Sequence, residues 1–132
     1  KEKNFGRIVN ITSAMVKNPH LIMGLSTSAR SGLHGLSKAL SREVAQYNIT
    51  INNVLPERID TDRQTQILNF QAKLADSTYE EAKKELEESL TAKRMGTVEE
   101  FSGICTFLCS EQAAYISGQN ISVDGGNSTN LI

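Results

Sequence analysis

The sequence contains no tryptophan, two prolines and two cysteines, and only 5% of its residues are aromatic. Two thiols exclude the dense disulfide framework of small secreted proteins and fit a protein of the reducing cytoplasm. Cys105 and Cys109 lie one helical turn apart in an apolar pattern. We therefore expect both to pack as small hydrophobic groups, and we predict no metal site.

Neither sign of charge dominates, because 14 basic residues face 15 acidic ones. This balance excludes the basic surface of a nucleic-acid-binding domain. No apolar run approaches the roughly 18 residues of a membrane span. The polar opening KEKNFGR does not have the form of a signal peptide, and the missing initial Met indicates a cut, an absent segment or a processed start. We expect a cytoplasmic protein with no nucleic-acid or membrane partner.

Short apolar runs alternate with helical patterns along the chain. Residues 7–13 and 50–56 are typical of strands buried on both faces, and residues 121–123 form a third short strand. Residues 26–46 have the rhythm of a buried helix, with Gly32 and Gly35 predicting the close approach of another backbone. The apolar stripe of this helix comprises Ala29, Leu33, Leu36, Leu40 and Val44.

Three more helices are predicted between the second and third strands. The first runs through about residue 74, with Asp60, Thr61 and Asp62 as candidates for its N-cap. The second covers residues 79–90 with a capping box from Ser77 to Glu80, and the third starts at a second capping box from Thr97 to Glu100. This order predicts an α/β fold with a doubly wound parallel sheet. A three-stranded sheet with an open edge indicates part of a larger sheet.

Four segments carry a resemblance to a known family: GRIVNITS, ITINNVLPERIDTDR, RMGTVEEF and FLCSEQAAYISGQNISVDGG. Together they resemble the C-terminal half of a short-chain dehydrogenase/reductase, similar to the 3-oxoacyl-[acyl-carrier-protein] reductases. The resemblance implies a single partial Rossmann-like domain over residues 1–132, with strand, helix, strand, helices and strand in that order. Within it, residues 61–94 would form a helical substrate lid.

The resemblance also implies roles for individual residues. Ser13 takes the position of the catalytic serine, although a hydroxyl that simply ends a strand is the alternative. Ser26 and Arg30 occupy the positions of the catalytic tyrosine and lysine, with Arg30 also contacting the cofactor ribose. His20 lies where the family lines its substrate pocket; it is either a general acid or merely exposed.

Further cofactor contacts are implied at Pro56, Ile59 and Thr61, whereas Thr61 could equally cap the next helix. The implied cofactor is NADP or NAD, whose binding requires a nucleotide half that these residues do not contain. No G-x-G-x-x-G motif occurs in the sequence. The implied partners are a small carbonyl or acyl substrate and further copies of the chain, in a homo-oligomer that is a dimer or a tetramer.

Three substitutions depart from the family pattern. Ser26 is shorter than tyrosine, and its alkyl hydroxyl is a weaker acid than a phenol, whose pKa is about 10. Arg30 presents a planar fork where lysine has a compact ammonium. Glu57 replaces a glycine and adds a negative charge. The sequence thus predicts an NAD(P)-dependent oxidoreductase with a degenerate active site; a non-catalytic, reductase-like scaffold or regulatory subunit is the alternative.

Overall fold

Three parallel strands form the centre of the fold. In the computed structural model, which describes residues 1–131, β1 (Gly6–Ile11), β2 (Ile49–Pro56) and β3 (Asn120–Val123) are ordered β1-β2-β3. The register pairs Gly6 with Ile49 and Asn53 with Asn120. All strands therefore end at one edge, and the predicted Rossmann-like α/β fold is confirmed.

Helices make both crossovers. The first is α1 (Gly24–Val44), and the second contains α2 (Asp62–Leu74), α3 (Tyr79–Ser89) and α4 (Val98–Leu108). These bounds confirm the predicted order of elements. None of the helices among residues 1–131 combines the length and the apolar character needed to cross a membrane. Short 3-10 turns lie at Ala14–Val16, Leu21–Met23, Ala45–Tyr47 and Glu111–Ala113.

Hydroxyl side chains cap the three later helices. Thr97 and Glu100 form the predicted capping box, and Arg94 donates to Glu100 as well, at 2.6 and 2.8 Å. The Arg94 guanidinium, together with the backbone N–H of Thr97, lowers the pKa of Glu100 to about 2. The predicted box at Ser77 and Glu80 was wrong by one residue. Thr78 and Glu81 form it instead, since Thr78 has the extended backbone that an N-cap requires.

Two apolar clusters hold the layers together. Val54, Leu108 and Ala113 are fully buried between the sheet and α4. A second cluster, centred on Leu68 and Leu90, joins α2 to α3. Cys105 packs against the first cluster, but Cys109 follows the last residue of α4 and is exposed. The prediction that both thiols are packed was therefore wrong for Cys109.

The apolar stripe of α1 points away from the sheet. Leu36 is 56% exposed, and nothing lies within 4 Å of a Cβ built on Gly32 or Gly35. The predicted close backbone approach is thus absent among residues 1–131. Helix α1 instead turns a polar face inward, and its buried residues are Thr27, His34, Ser37 and Ser41.

The polar face of α1 matches a polar sheet. Asn10 Nδ2 donates to Ser37 Oγ and to Asn53 Oδ1, both at 3.0 Å, and Asn53 Nδ2 donates to Asn120 Oδ1 at 2.8 Å. We call Asn10, Asn53 and Asn120 the amide chain; it crosses all three strands. Strand β1 was predicted to be buried on both faces, but Ile11 is 64% exposed because β1 is an edge strand in the described chain.

Gly118 fixes the loop before β3 against α1. Its φ of +69° is left-handed, and a Cβ there would lie 2.6 Å from Ser41 Oγ. Its N–H donates to the carbonyl of Ile51 at 2.7 Å, and its own carbonyl accepts from Lys38 Nζ at 3.1 Å. Only glycine combines this backbone conformation with such a close approach.

Candidate active site

A cavity lies at the carboxyl edge of the sheet, where doubly wound folds bind their ligands. It has a volume of about 350 Å³ and lies between the segment after β1 and the start of α2. Three predicted site residues line it: Ser13, His20 and Pro56. We call it the strand-end cavity. The structure therefore brings a serine, a histidine and the end of β2 to one place.

Ser13 is held at the wall of this cavity by its neighbours. Its Oγ accepts a hydrogen bond from the N–H of Met15 at 3.2 Å and so caps the turn that follows. The preceding Thr12 is buried; its N–H donates to the carbonyl of Val54 at 2.9 Å, and its Oγ1 lies 2.8 Å from His34 Nε2. Because the Ser13 hydroxyl serves as an acceptor in this contact, its own hydrogen can still be donated to a ligand.

Ser26 and Arg30 lie side by side on α1, as their spacing predicts. Arg30 Nη1 donates to the carbonyl of Ser26 at 3.3 Å and also to Ser26 Oγ. Both residues are half-buried. Neither residue lines the strand-end cavity. The part of the chain nearest to α1 that does so is the turn before the helix, at Ile22 and Met23. The pair is assembled, but its hydroxyl does not share the cavity with Ser13.

The segment after β2 carries the remaining predicted cofactor contacts. Ile59 forms an isolated bridge with Gly96, supported by the Asp60 N–H to Gly96 carbonyl bond at 2.8 Å. Thr61 is exposed and caps α2, with its Oγ1 accepting from the N–H of Gln64 at 3.4 Å. The capping interpretation of Thr61 is therefore observed, while its contact with a cofactor stays a prediction.

Glu57 makes two contacts that fix the chain after β2. Its N–H donates to the carbonyl of Val123 at 3.1 Å, and its Oε1 accepts from Asn127 Nδ2 at 2.8 Å. The carboxylate also lines the strand-end cavity. The predicted negative charge at this edge is therefore present, partly satisfied by the amide of Asn127.

Two cavity residues were not singled out from the sequence. Arg58 has a left-handed backbone, with φ of 53°. Gln64 is only 7% exposed, and its Nε2 has no hydrogen-bond partner in the same part of the chain. Both line the strand-end cavity. Arg58 lies within the segment ITINNVLPERIDTDR and Gln64 directly follows it, but the resemblance assigned a role to neither residue.

The three tyrosines of the chain lie away from the strand-end cavity. Tyr79 packs in the cluster between α2 and α3, and Tyr115 is fully exposed. The ring of Tyr47 lies under Lys1, whose Nζ is 4.9 Å from the ring centre. None of the three lines the strand-end cavity.

His34 is a buried titratable group directly behind Ser13. Burial, and to a smaller degree the charge of Lys17, lowers its pKa below the usual 6.5. Folding therefore favours the neutral imidazole. Its stabilising contribution is complete above about pH 6.5 and is lost as pH falls through the lower folded-state pKa.

We predict that the free energy of unfolding falls between pH 6.5 and pH 5 in part through His34. In the His34→Gln variant, the amide can still bond Thr12. The slope of the free energy of unfolding against pH over this range should then be smaller, because up to one proton fewer is taken up on unfolding. Urea unfolding at several pH values checks this, with His20→Gln as the exposed control. Equal slopes in the two variants and the parent would contradict the prediction.

A parallel doubly wound sheet with a cavity at its carboxyl edge defines the class as a Rossmann-like α/β fold. Comparison with known proteins agrees. The family described as enoyl-(acyl carrier protein) reductase matches residues 1–128. The chain therefore belongs to the short-chain dehydrogenase/reductase family.

Individual relatives are similar along nearly the whole chain. The NADPH-dependent reductase BacG of Bacillus subtilis is 36% identical over 127 residues, which are 96% of this chain and 49% of that protein. The 3-oxoacyl-[acyl-carrier-protein] reductase FabG of Aquifex aeolicus is 35% identical, over 95% of this chain and 46% of its own length. The chain thus spans about half the length of the relatives it matches.

Solved structures confirm the fold. The crystal structure of YwfH, an NADPH-dependent reductase involved in bacilysin biosynthesis, has a TM-score of 0.91 at 35% identity and covers 98% of this chain and 50% of its own. The F189W actinorhodin polyketide ketoreductase with NADPH has a TM-score of 0.89 at 26% identity, over 98% of this chain and 49% of its own.

Proposed function

We propose that this chain is the substrate-facing half of an NAD(P)-dependent oxidoreductase that interconverts a carbonyl and an alcohol. The observation that carries the proposal is Ser13 at the wall of the strand-end cavity, on the edge where this fold binds ligands. Relatives whose names include NADPH dependence support it. When bound, the reduced cofactor supplies a hydride to the carbonyl carbon, while one proton from the protein or water goes to the oxygen.

The residues present fit one end of such a cofactor. Arg30, a half-buried residue of α1, supplies a guanidinium. Pro56, Ile59 and Thr61 follow the carboxyl edge from the end of β2 to the cap of α2. Ser13 would orient the carbonyl by donating its hydroxyl hydrogen to the oxygen, and α2 and α3, within residues 61–94, would form the lid. The choice between NADP and NAD depends on contacts outside these residues.

The proton-transfer step is where we propose that the site is weakened. Ser26 lies against Arg30, so a cation is in place to stabilise an oxyanion there. An alkyl hydroxyl is nevertheless a poor acid at neutral pH, and it reaches less far than a phenol. His20, which is exposed and lines the cavity, is a candidate to transfer the proton instead.

The apolar stripe of α1 supports a homo-oligomer. Leu33, Leu36 and Leu40 are 39–56% exposed, and the open glycines beside them leave room for a second helix. We propose that copies of the protein associate through this face as a dimer or a tetramer. The two free thiols support a location in the reducing cytoplasm.

Calorimetric titration of the full-length protein with NADPH, then NADH, tests the proposed function. We expect micromolar binding of one nucleotide. Arg30→Ala should weaken it about tenfold. Arg42→Ala, which removes an exposed guanidinium from the last turn of the same helix, should leave it unchanged. Absence of binding for both nucleotides would overturn the proposal, and equal effects of the two substitutions would remove Arg30 from it.

A further inference from the structure

The inner face of α1 meets the end of β1 through two polar contacts. Ser37 Oγ accepts from Asn10 Nδ2 at 3.0 Å, and His34 Nε2 lies 2.8 Å from Thr12 Oγ1. We call these two contacts the α1 seam. The helix and the strand run in opposite directions along it, so the contacts approach the start of α1 as they approach the end of β1. The second contact lies directly before Ser13.

Thr12 is anchored on two sides by this arrangement. Its N–H donates to the carbonyl of Val54 at 2.9 Å, which extends the pairing of β1 with β2, and its hydroxyl contacts His34. Ser13 follows with an extended backbone, and it lines the strand-end cavity whereas Thr12 does not. The residue that supplies the candidate catalytic hydroxyl is therefore attached to a point that the sheet and α1 both hold.

His34 belongs to the same helix as the hydroxyl–guanidinium pair. It follows Arg30 by four residues and Ser26 by eight. Residues four apart lie next to each other on a helix surface, so the imidazole and the pair extend from neighbouring parts of α1. The contact between His34 and Thr12 thus joins the helix that carries the pair to the chain segment that carries Ser13. Of the two contacts in the α1 seam, it is the one nearer to both groups in the sequence.

Stability alone does not account for the buried imidazole. His34 is only 7% exposed, and its Nδ1 is buried without a hydrogen-bond partner among residues 1–131. An unsatisfied ring nitrogen costs free energy, and replacing both members of a buried polar pair by apolar groups of the same shape is often neutral or stabilising. An apolar pair would fill the space but would lack a directional contact. Such a contact fixes the relative position of helix and strand.

We propose that His34 is a positioning residue of the active site: through Thr12, it holds the Ser13 hydroxyl in place relative to Ser26 and Arg30. The inference rests on the proposed function, in which Ser13 orients the carbonyl oxygen. His34 does not line the strand-end cavity, so it acts through Thr12 and not on the substrate. Its loss should therefore slow the reaction without weakening the binding of ligands.

The first test follows the Met15 amide of the full-length protein by NMR hydrogen exchange, with no cofactor or substrate present. This N–H donates to Ser13 Oγ at 3.2 Å, so its exchange rate reports whether the hydroxyl stays in place. Thr12→Val removes the Thr12 hydroxyl at nearly constant shape. It should make the exchange about fivefold faster, the effect of about one lost hydrogen bond, and His34→Leu should do the same.

Matched variants separate positioning from a general loss of packing. His34→Gln keeps an amide that can bond Thr12, and it should restore the exchange of Met15 to within about twofold of the parent. Ser37→Ala removes the other contact of the α1 seam and should leave the exchange of Met15 unchanged. The Glu100 amide, which donates to a threonine hydroxyl in the cap of α4, is the internal reference for changes in overall stability.

The second test is the NADPH-dependent reduction of butyl methyl ketone by the full-length protein. His34→Leu should lower kcat by about fivefold or more while KM changes by less than about twofold, and His34→Gln should recover most of the rate. The double variant with Thr12→Val and His34→Leu leaves neither member of the contact unpaired. Its kcat should stay low even where its unfolding midpoint equals that of the parent.

Two results would overturn the inference. One is an exchange rate of Met15 that is the same in Thr12→Val and in the parent. The other is an equal effect of His34→Leu and Ser37→Ala on exchange or on kcat, which would make His34 a packing residue only. A parent that binds neither nucleotide would instead overturn the proposed function, and the exchange of Met15 would still decide whether His34 holds Ser13 in place.

Discussion

Replacing Ser26 by Tyr and Arg30 by Lys together is expected to raise the NADPH-dependent reduction of butyl methyl ketone by the full-length protein by about 100-fold. A positioned general acid contributes roughly this factor or more. The two side chains already touch across one turn of α1, so the new phenol would lie beside the new ammonium. The cation would lower the pKa of the phenol toward neutrality.

The increase should require both changes. Ser26→Tyr alone places a phenol beside a bulky guanidinium, and Arg30→Lys alone supplies no better acid, so each single variant should gain less than about tenfold. Ser28→Tyr with Arg30→Lys is the matched control, because residue 28 is exposed on the same helix. A double variant no faster than this control would show that the site lacks more than these two side chains.

Local sequence signals predicted most of the fold. The apolar strands and the hydroxyl caps are recognised from a few neighbouring residues, and α2, α3 and α4 begin within a residue or two of the predicted positions. The misplaced box at Ser77 shows the limit of such signals. Two hydroxyls stand next to each other, and only the backbone conformation decides that Thr78 is the cap.

The orientation of α1 could not be predicted in the same way. An apolar stripe shows that a helix has an apolar face, but it does not say which partner covers that face. Here the sheet presents Asn10 and Asn53 to the helix, so Ser37 and His34 are the residues that pack inward. Periodicity rules assume an apolar sheet and therefore assign the wrong face.

Only some residues of the strand-end cavity were predicted from the sequence, for a related reason. Ser13, His20 and Pro56 follow strands or family motifs, and the carboxyl edge of a parallel sheet brings them together. Arg58 and Gln64 join the wall of the cavity only in three dimensions, and the Nε2 of Gln64 is buried without a partner among residues 1–131. An unpaired group cannot be identified from the sequence, since its neighbours become known only with the fold.

Asn53→Ala is expected to lower the free energy of unfolding by about 3 kcal/mol, the sum of two lost hydrogen bonds and a small cavity. Asn53 is 1% exposed and links Asn10 to Asn120 through both ends of its amide. Urea unfolding of the full-length protein measures the change. Asn69→Ala, which removes an exposed amide bonded to the Thr65 carbonyl, should cost less than about 0.5 kcal/mol.

A double-mutant cycle separates the amide chain from simple burial. If Asn10 and Asn53 act through their shared bond, Asn10→Ala and Asn53→Ala should be non-additive by about 1 kcal/mol. Strict additivity would mean that the bond between Asn10 and Asn53 adds nothing to the stability of the sheet. Coupling would show that the bond between Asn10 and Asn53 itself stabilises the sheet, on the face where Asn10 also bonds Ser37 of α1. With this polar face turned inward, the leucine stripe of α1 lies outside, available for contact with another chain.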